Sequence, residues 1–370
     1  MKNFIKIALA AAFIPLLGSC DDFSKEEIIS PSGTTPSSTI LSATPESVAR
    51  LLSELPFTLD QVGEVFQAVN ASSAHGYDEE YTFRDMLHCP GRVALDSFGQ
   101  MLSDHVAKYS VTRSAGFIEE LSSSGLQIYW PYSDFWDGES MPTITYLPGM
   151  EKDSNIGFSR EILPEGNVVV KEQTVDEAYA MTHPVWVVNY NEDAGALTPQ
   201  MLEKMYPLTR SSSNFKTLKL KEFKAHRQYD SWLSGGSEFY LKTGSLKAFT
   251  ADVVSDLKLY NPEITDLMIK VKRSQVGKAI RYNAILVSDW SDQLSECAFL
   301  IHEDDGGKMT TWKSSGTVKI KSKSYGFEVE IPYHRNDDIV WRGKLSANYL
   351  TRYNGVSSRM GDVSVTFSFD

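Results

Sequence analysis

Four short acidic runs are the residues of this chain best suited to chemistry. Asn189-Tyr190-Asn191-Glu192-Asp193 follows an apolar run, as do Asp289-Trp290-Ser291-Asp292 and His302-Glu303-Asp304-Asp305-Gly306-Gly307, and Asn336-Asp337-Asp338 precedes another. Oxygen ligands at strand ends are what a hard cation such as Ca2+ requires. Asp289, Asp292, Glu303, Asp304 and Asp305 are therefore the candidate metal ligands. The same loops also read as ordinary hydrated turns, because Asp, Asn and Gly are turn formers, and none has EF-hand spacing. No resident cofactor is expected, and Ca2+ should bind weakly if at all. Carboxylates in such loops could alternatively serve a glycoside hydrolase, which needs a pair flanking the scissile bond. With 48 Asp and Glu in the chain, candidate pairs alone decide nothing.

Signatures of other chemistries are missing. There is no G-x-S-x-G elbow, and Gly157-Phe158-Ser159 lacks the closing glycine. No H-E-x-x-H or G-x-G-x-x-G occurs, and Val276-Gly277-Lys278-Ala279 lacks both the early glycine and the Ser/Thr of a phosphate loop. The 7 histidines are scattered singly. Cys89 and Cys297 make no C-x-x-C and no disulfide framework, and read as small core residues. The aromatic run Tyr129-Trp130-Pro131-Tyr132-Ser133-Asp134-Phe135-Trp136 could offer Trp130, Tyr132 and Trp136 as a stacking platform for a sugar or peptide. Strand aromatics more often fill a core, and that is the favoured reading.

The elements that must carry these residues can be outlined from periodicity. The chain has 370 residues, 42% hydrophobic and 23% charged, enough for two ordinary domains. Thr44-Pro45-Glu46 opens a helix, Thr58 with Gln61 reads as a capping box, and apolar stripes predict further helices over 93–109 and around Phe117-Ile118-Leu121. After Gly125 short strands are expected at 127–130, 143–146, 168–170 and 185–188, with short helices opening at Thr174 and at Thr198-Pro199. From Trp232 onward strands dominate. Val318 and Ile320, with Phe327, Val329 and Ile331, suggest a hairpin turning at 324–326 with lysines opposite glutamates outside. Strands at 267–271, 283–288, 298–302 and 363–369 complete a set that suits an antiparallel β-sandwich, with one helix over 252–259. The expected fold is α+β, with a helical and mixed α/β region over 44–231 followed by a β-sandwich-like domain over 232–370. Ser234-Gly235-Gly236-Ser237 reads as a flexible join where a protease could enter.

Charge follows the same boundary. Residues 231–370 hold 18 basic and 17 acidic side chains, whereas 21–230 hold 16 and 31. The overall charge of −12 argues against a nucleic-acid partner.

The N-terminus points to a location. Lys2 and Lys6 precede the apolar run Ile7–Leu17, which is too short to span a bilayer and has signal-peptide proportions. Leu17-Gly18-Ser19-Cys20 resembles the lipobox of bacterial lipoproteins. That resemblance implies removal of residues 1–19 and acylation of Cys20, with each buried CH2 contributing about 0.8 kcal/mol of anchoring. Asp21-Asp22 and Lys25-Glu26-Glu27 resemble the surface-export signal of Bacteroidetes lipoproteins, and residues 20–43 form an acidic tether rich in Ser, Thr and Pro. Gly76-Tyr77-Asp78-Glu79-Glu80-Tyr81-Thr82, Ile128-Tyr129-Trp130-Pro131-Tyr132-Ser133 and Pro184-Val185-Trp186-Val187-Val188-Asn189 together resemble uncharacterised surface lipoproteins of gut Bacteroidetes. The resemblance implies an outer-membrane, surface-exposed location and carries no catalytic residue. The expected function is a lipid-anchored envelope protein, binding or structural, attached to the membrane through Cys20 and facing an unknown glycan or peptide ligand. The alternatives are a glycan or peptide hydrolase without a local signature and a calcium-dependent β-sandwich module.

Overall fold

Helix start signals place the first layer. The computed structural model describes residues 42–87, 96–108, 111–149, 152–164, 168–193, 195–205 and 215–370. Cys20, the tether as far as residue 41, and Cys89 lie outside them. Helix α1 (Pro45–Glu54) begins where the Thr44 hydroxyl accepts from the Ser47 N–H, with Pro45 in the first position. Helix α2 (Leu59–Ala74) opens with Gln61 accepting from the Thr58 N–H at 2.8 Å. Helices α3 (Phe83–Leu87), α4 (Ser97–Ala107) and α5 (Val111–Ser123) follow. The helix expected over 93–109 begins at Ser97, because Asp96 is its cap, accepting from the Gly99 N–H at 2.7 Å. No helix among the described residues is long and apolar enough to cross a membrane.

These helices cover one face of a six-stranded sheet of β1 (Glu80–Thr82), β2 (Leu126–Tyr129), β3 (Thr143–Tyr146), β4 (Ser154–Ile162), β5 (Val168–Asp176) and β6 (Val185–Tyr190). The spatial order is β1-β2-β6-β3-β4-β5, antiparallel except for the β3–β6 pair. Strand β6 is central and apolar along both faces, as a doubly covered strand must be. Its Trp186 and Val188 join the core under the helices, where Trp186 stacks on Phe57 at 5.0 Å and meets Phe98 and Trp130 edge-on. Its Val185 and Val187 face the other way, onto Trp232 and Leu233. Helix α6 (Glu177–Ala180) is capped by Asp176, not Thr174, because β5 continues in extended conformation as far as the cap. Helix α7 is Pro199–Met205.

The rest of the chain is an antiparallel sandwich-like pair of sheets. One holds β10 (Ile280–Trp290), β7 (Lys216–Ala225), β16 (Val363–Phe369) and β15 (Ser357–Met360) in that order. The other runs β13 (Lys323–His334), β12 (Met309–Ile320), β11 (Leu294–Glu303), β8 (Ser237–Ser245), β9 (Glu263–Val271), with β14 (Asp338–Ser346) also on β11. Helix α8 (Ala347–Arg352) joins β14 to β15. Leu218, Leu220 and Phe223 from one sheet and Phe239, Leu241 and Phe299 from the other fill the space between, with Cys297 wholly buried.

The chain is thus α+β. Strand β7 already belongs to the sandwich, whereas Trp232 and Leu233 pack on the first sheet, so the two parts interlock around 216–233, and the described residues form one compact unit. Gly235 and Gly236 are buried, not an open join: a side chain on Gly236 would come within 2.4 Å of the Val271 carbonyl. The β12–β13 hairpin turns at Lys321-Ser322, with Ile320 opposite Lys323. This register sets Lys313 against Glu330, and seats the Phe327 ring over Gly316, where a Cβ would lie 2.0 Å from the ring. Residues 254–259 form a 3-10 turn, held by Asp256 accepting from the Val253 N–H.

Candidate functional site: an acidic seam between the two parts

Register places charge on the outer face of the sandwich. Across β8 and β9, Phe239 faces Ile269 and Leu241 faces Leu267 in the core, while the alternate positions pair Glu238 with Lys270, Tyr240 with Met268 and Lys242 with Asp266. Lys242 Nζ lies 2.9 Å from Asp266 Oδ2, and Lys270 contacts Glu238. Tyr240 stacks on His302 of β11 at 5.2 Å. This polar face meets the first part of the chain. Lys270 Nζ also lies 3.4 Å from Asp78 Oδ2 and 3.8 Å from Asp193 Oδ2. Lys272 approaches Glu79 and Asp134, each at 3.8 Å, and Arg273 clamps Glu177, which also accepts from the Tyr132 hydroxyl. Asp78 in turn accepts from the Gly236 N–H at 2.8 Å. The basic end of β9 therefore binds acids supplied by the acid-rich half.

Acids outnumber cations along this seam, and burial acts on several of them. Burial pushes the Glu79 carboxyl up to about 7 and Glu80 up to about 8, with Lys272 and Lys270 respectively opposing. Burial likewise raises Asp193 and Glu192, each partly offset by Lys270. Lys270 itself is buried, and Asp78, Asp193, Glu80 and Asp230 hold it charged despite that burial.

Three of the four acidic runs meet at the open edge of the seam. Glu192 and Asp193 after β6, Glu238 and Tyr240 on β8, Asp304-Asp305-Gly306 after β11 and His334 at the end of β13 enclose a recess of about 280 Å3. The 289–292 run does not take part. It sits at the beginning of β11, whereas Glu303-Asp304-Asp305 sits at its end, so the ten-residue strand holds the two loops apart. Asp289 accepts from Ser288 Oγ, and Asp292 is exposed. The loops 289–292 and 303–305, which hold the candidate metal ligands Asp289, Asp292, Glu303, Asp304 and Asp305, do not meet. The 336–338 run takes that place.

Within the seam two groups bring three ligand atoms within 4.8 Å of one another. In the first, Asp304 and Asp337 surround His334. Asp304 Oδ1 lies 2.8 Å from His334 Nδ1 and accepts from the Gly306 N–H, and Asp337 accepts from the N–H groups of His334 and Asp305. His302 Nδ1 lies 2.8 Å from Asp337 Oδ2, and burial lowers its imidazole to about 3, so it is neutral. The second group is Asp230, Glu238 and Glu303. Glu303 is 0% exposed, and neither of its oxygens has a hydrogen-bond partner.

The aromatic run does not form a platform. Trp130 is fully buried against Phe66, Trp136 and Trp186. Tyr132 is buried in a left-handed conformation (φ 61°), its hydroxyl committed to Glu177. Trp136 is half-buried and donates from Nε1 to the Ser140 carbonyl. A larger cavity of about 700 Å3 opens beside α2 and β1, lined by Tyr77, Glu80 and Asn191 among others. Two of its acids are already committed, since Glu64 accepts from Phe98 N–H and Ser97 Oγ, and Asp96 from Tyr81 and Gly99.

No family model, curated protein or solved structure matches this chain.

Asp78, Asp230, Glu238, Lys270 and His334 were not legible as site residues, because the sheet register and the interlock bring them in from remote positions. One local signal was present. Lys270 and Lys272 alternate with Ile269 and Val271 in an apolar strand, which marks lysines facing a buried or acidic surface.

Proposed function

We propose that this chain is a lipid-anchored protein of the outer membrane, held through Cys20 and displayed at the cell surface. There it binds a positively charged group, of the size of a lysine or arginine side chain, in the acidic recess. The observation that carries this reading is the recess itself: five of its eight lining residues are carboxylates contributed by three separate chain segments. Clustered acids of one sign, with low-dielectric walls beneath them, attract a cation. A surface protein meeting peptides would present such a site to their basic side chains. The hydrolase alternative receives less support. The close pair Asp230–Glu303 does not line the recess, and Glu303 is fully buried, so this pair is not placed to flank a bound sugar or peptide.

Titration of the chain with an oligolysine peptide tests the reading. Saturable binding that weakens with salt and is lost in Asp305→Asn supports it; binding unchanged by that substitution refutes it. Anchoring has a separate test, because without the Cys20 thiol no acyl chain can attach. Cys20→Ser should move the protein from the outer-membrane fraction to the soluble pool, and unchanged fractionation refutes the anchor.

A further inference from the structure

We infer that Asp230, Glu238 and Glu303 form a binding site for a hard divalent cation of the calcium class, on the inner side of the recess. The inference uses the recess only as the route by which the ion arrives, through their shared residue Glu238.

The backbone fixes the three ligands before any ion binds. Glu303 ends β11 opposite Phe239, one residue beyond Glu238 in β8, and the Asp304 N–H donates to the Glu238 carbonyl at 3.2 Å. Asp230 is held by its carbonyl, which accepts from Arg273 Nη1 at 3.0 Å. One carboxylate oxygen from each then lies within 4.8 Å of the other two.

What sets this group apart from an ordinary acidic cluster is Glu303. It is fully buried, yet neither oxygen meets a donor, and Asp230 Oδ2 is likewise buried without a partner. A buried carboxylate without a donor or cation is costly. Of the nearby cations, Lys270 pairs with Glu238 of this group and with Asp78 and Asp193, and Arg273 pairs with Glu177; neither makes an ion pair with Glu303 or Asp230. The neighbouring His334–Asp304–Asp337 group closes its own hydrogen bonds and leaves no such demand. Either a proton shared between Asp230 and Glu303 or a bound cation can satisfy the pair. Three carboxylates without nitrogen or sulfur donors suit a hard ion, and calcium accepts irregular oxygen sets completed by water and carbonyls. Glu238 would then offer one oxygen to the ion while Lys270 steadies the other, a normal outer-shell arrangement.

The site can be tested directly. The full chain, purified in detergent and stripped with EDTA, is titrated with CaCl2 by calorimetry. The expected result is one saturable event and a raised melting temperature. Glu303→Gln should weaken the event by more than the roughly 10–100-fold that loss of an outer-shell partner costs. Asp305→Asn, whose side chain lines the recess and is not among the three ligands, should leave it in place while abolishing oligolysine binding. No calcium response in the unmodified chain, or a response that survives Glu303→Gln, overturns the site. If Glu303→Gln does not fold, Asp230→Asn is read in its place, with the same expected loss and the same overturning result.

Discussion

The two acidic groups at the end of β11 share a loop and a strand but differ in how their oxygens are satisfied. Around His334, Asp304 and Asp337 accept from the backbone N–H groups of Gly306, His334 and Asp305, so the loop is tied by its own acids. A few residues away, Glu303 and Asp230 carry buried oxygens with no donor. Composition is nearly the same in both, so acid content does not tell which of the two groups can hold an ion. The count of committed oxygens does. A carboxylate that holds the chain in place is already used, whereas one left open in a dry site requires a proton or a cation.

The largest effect is expected where one cation serves several acids. Lys270 is buried among Asp78, Asp193 and Glu238. Removing one partner of a buried ion pair costs about 3–5 kcal/mol, because uncompensated charge remains. Lys270→Met keeps the stem and removes the charge, so urea unfolding should shift by that amount. A loss under about 1 kcal/mol would mean that the acids simply take up protons, and that the seam is not held by this lysine.

The comparison itself is sharpened by Asp337→Ala against Glu303→Gln, both measured in EDTA. Asp337→Ala strips two backbone N–H groups of their acceptor and should cost about 1–3 kcal/mol. Glu303→Gln removes a buried acid that holds no donor and should be neutral or stabilising without calcium. If the two variants lose equal stability, the distinction between closed and open groups fails.

Much of the framework was readable from local pattern, and the site was not. The caps at Thr44 and Thr58, the strand at 143–146 and the alternation through 363–369 follow from residue type and period, which act over a few neighbours. The hairpin turn was misplaced because Gly326 resembles a turn residue, while Lys321 adopts the left-handed conformation that the two-residue turn needs. Gly235-Gly236 looked like a flexible join, and became instead the point of closest approach to β9. The acidic runs were visible individually. Which of them meet depends on strand length and on sheet order: β11 carries one run away from 303–305, and the interlock of β6 with the sandwich brings another to it. Neither fact has a local signature.

A smaller effect is expected from pH. Glu79 near 7 and Glu80 near 8 sit above the unfolded carboxyl value of about 4.3, so the folded state binds these protons more tightly. Their contribution is complete below about pH 4.3 and is lost as pH rises through 7 to 8. His302 acts in the opposite sense, since its folded value near 3 makes the native state gain stability up to the unfolded imidazole value of about 6.5. Above that the carboxyls act alone, so urea midpoints in EDTA should fall between pH 6.5 and 8.5. Glu79→Gln, which keeps an acceptor for Ser133 Oγ, should flatten that fall. A rising midpoint over the same interval would show that the seam is charge-compensated after all.

The smallest effect tests whether burial, and not the cross-strand pairing of lysine with glutamate, gives the seam its strength. Lys313 faces Glu330 across β12 and β13 in register, as Lys270 faces Glu238 across β9 and β8. Its Nζ lies 2.9 Å from the carboxylate, so the geometry is good. The two side chains are 80% and 57% exposed, however, whereas Lys270 is 5% exposed. In water the Coulomb attraction is screened, and ordering two long side chains opposes it, so such pairs contribute at most about 1 kcal/mol. Lys313→Ala should therefore leave the urea midpoint nearly unchanged, and 0.5 M NaCl should make no further difference. A loss comparable to that of Lys270→Met would mean that ladder position alone carries the energy. The acidic seam would then be one more ion-pair ladder, with no special claim to bind anything.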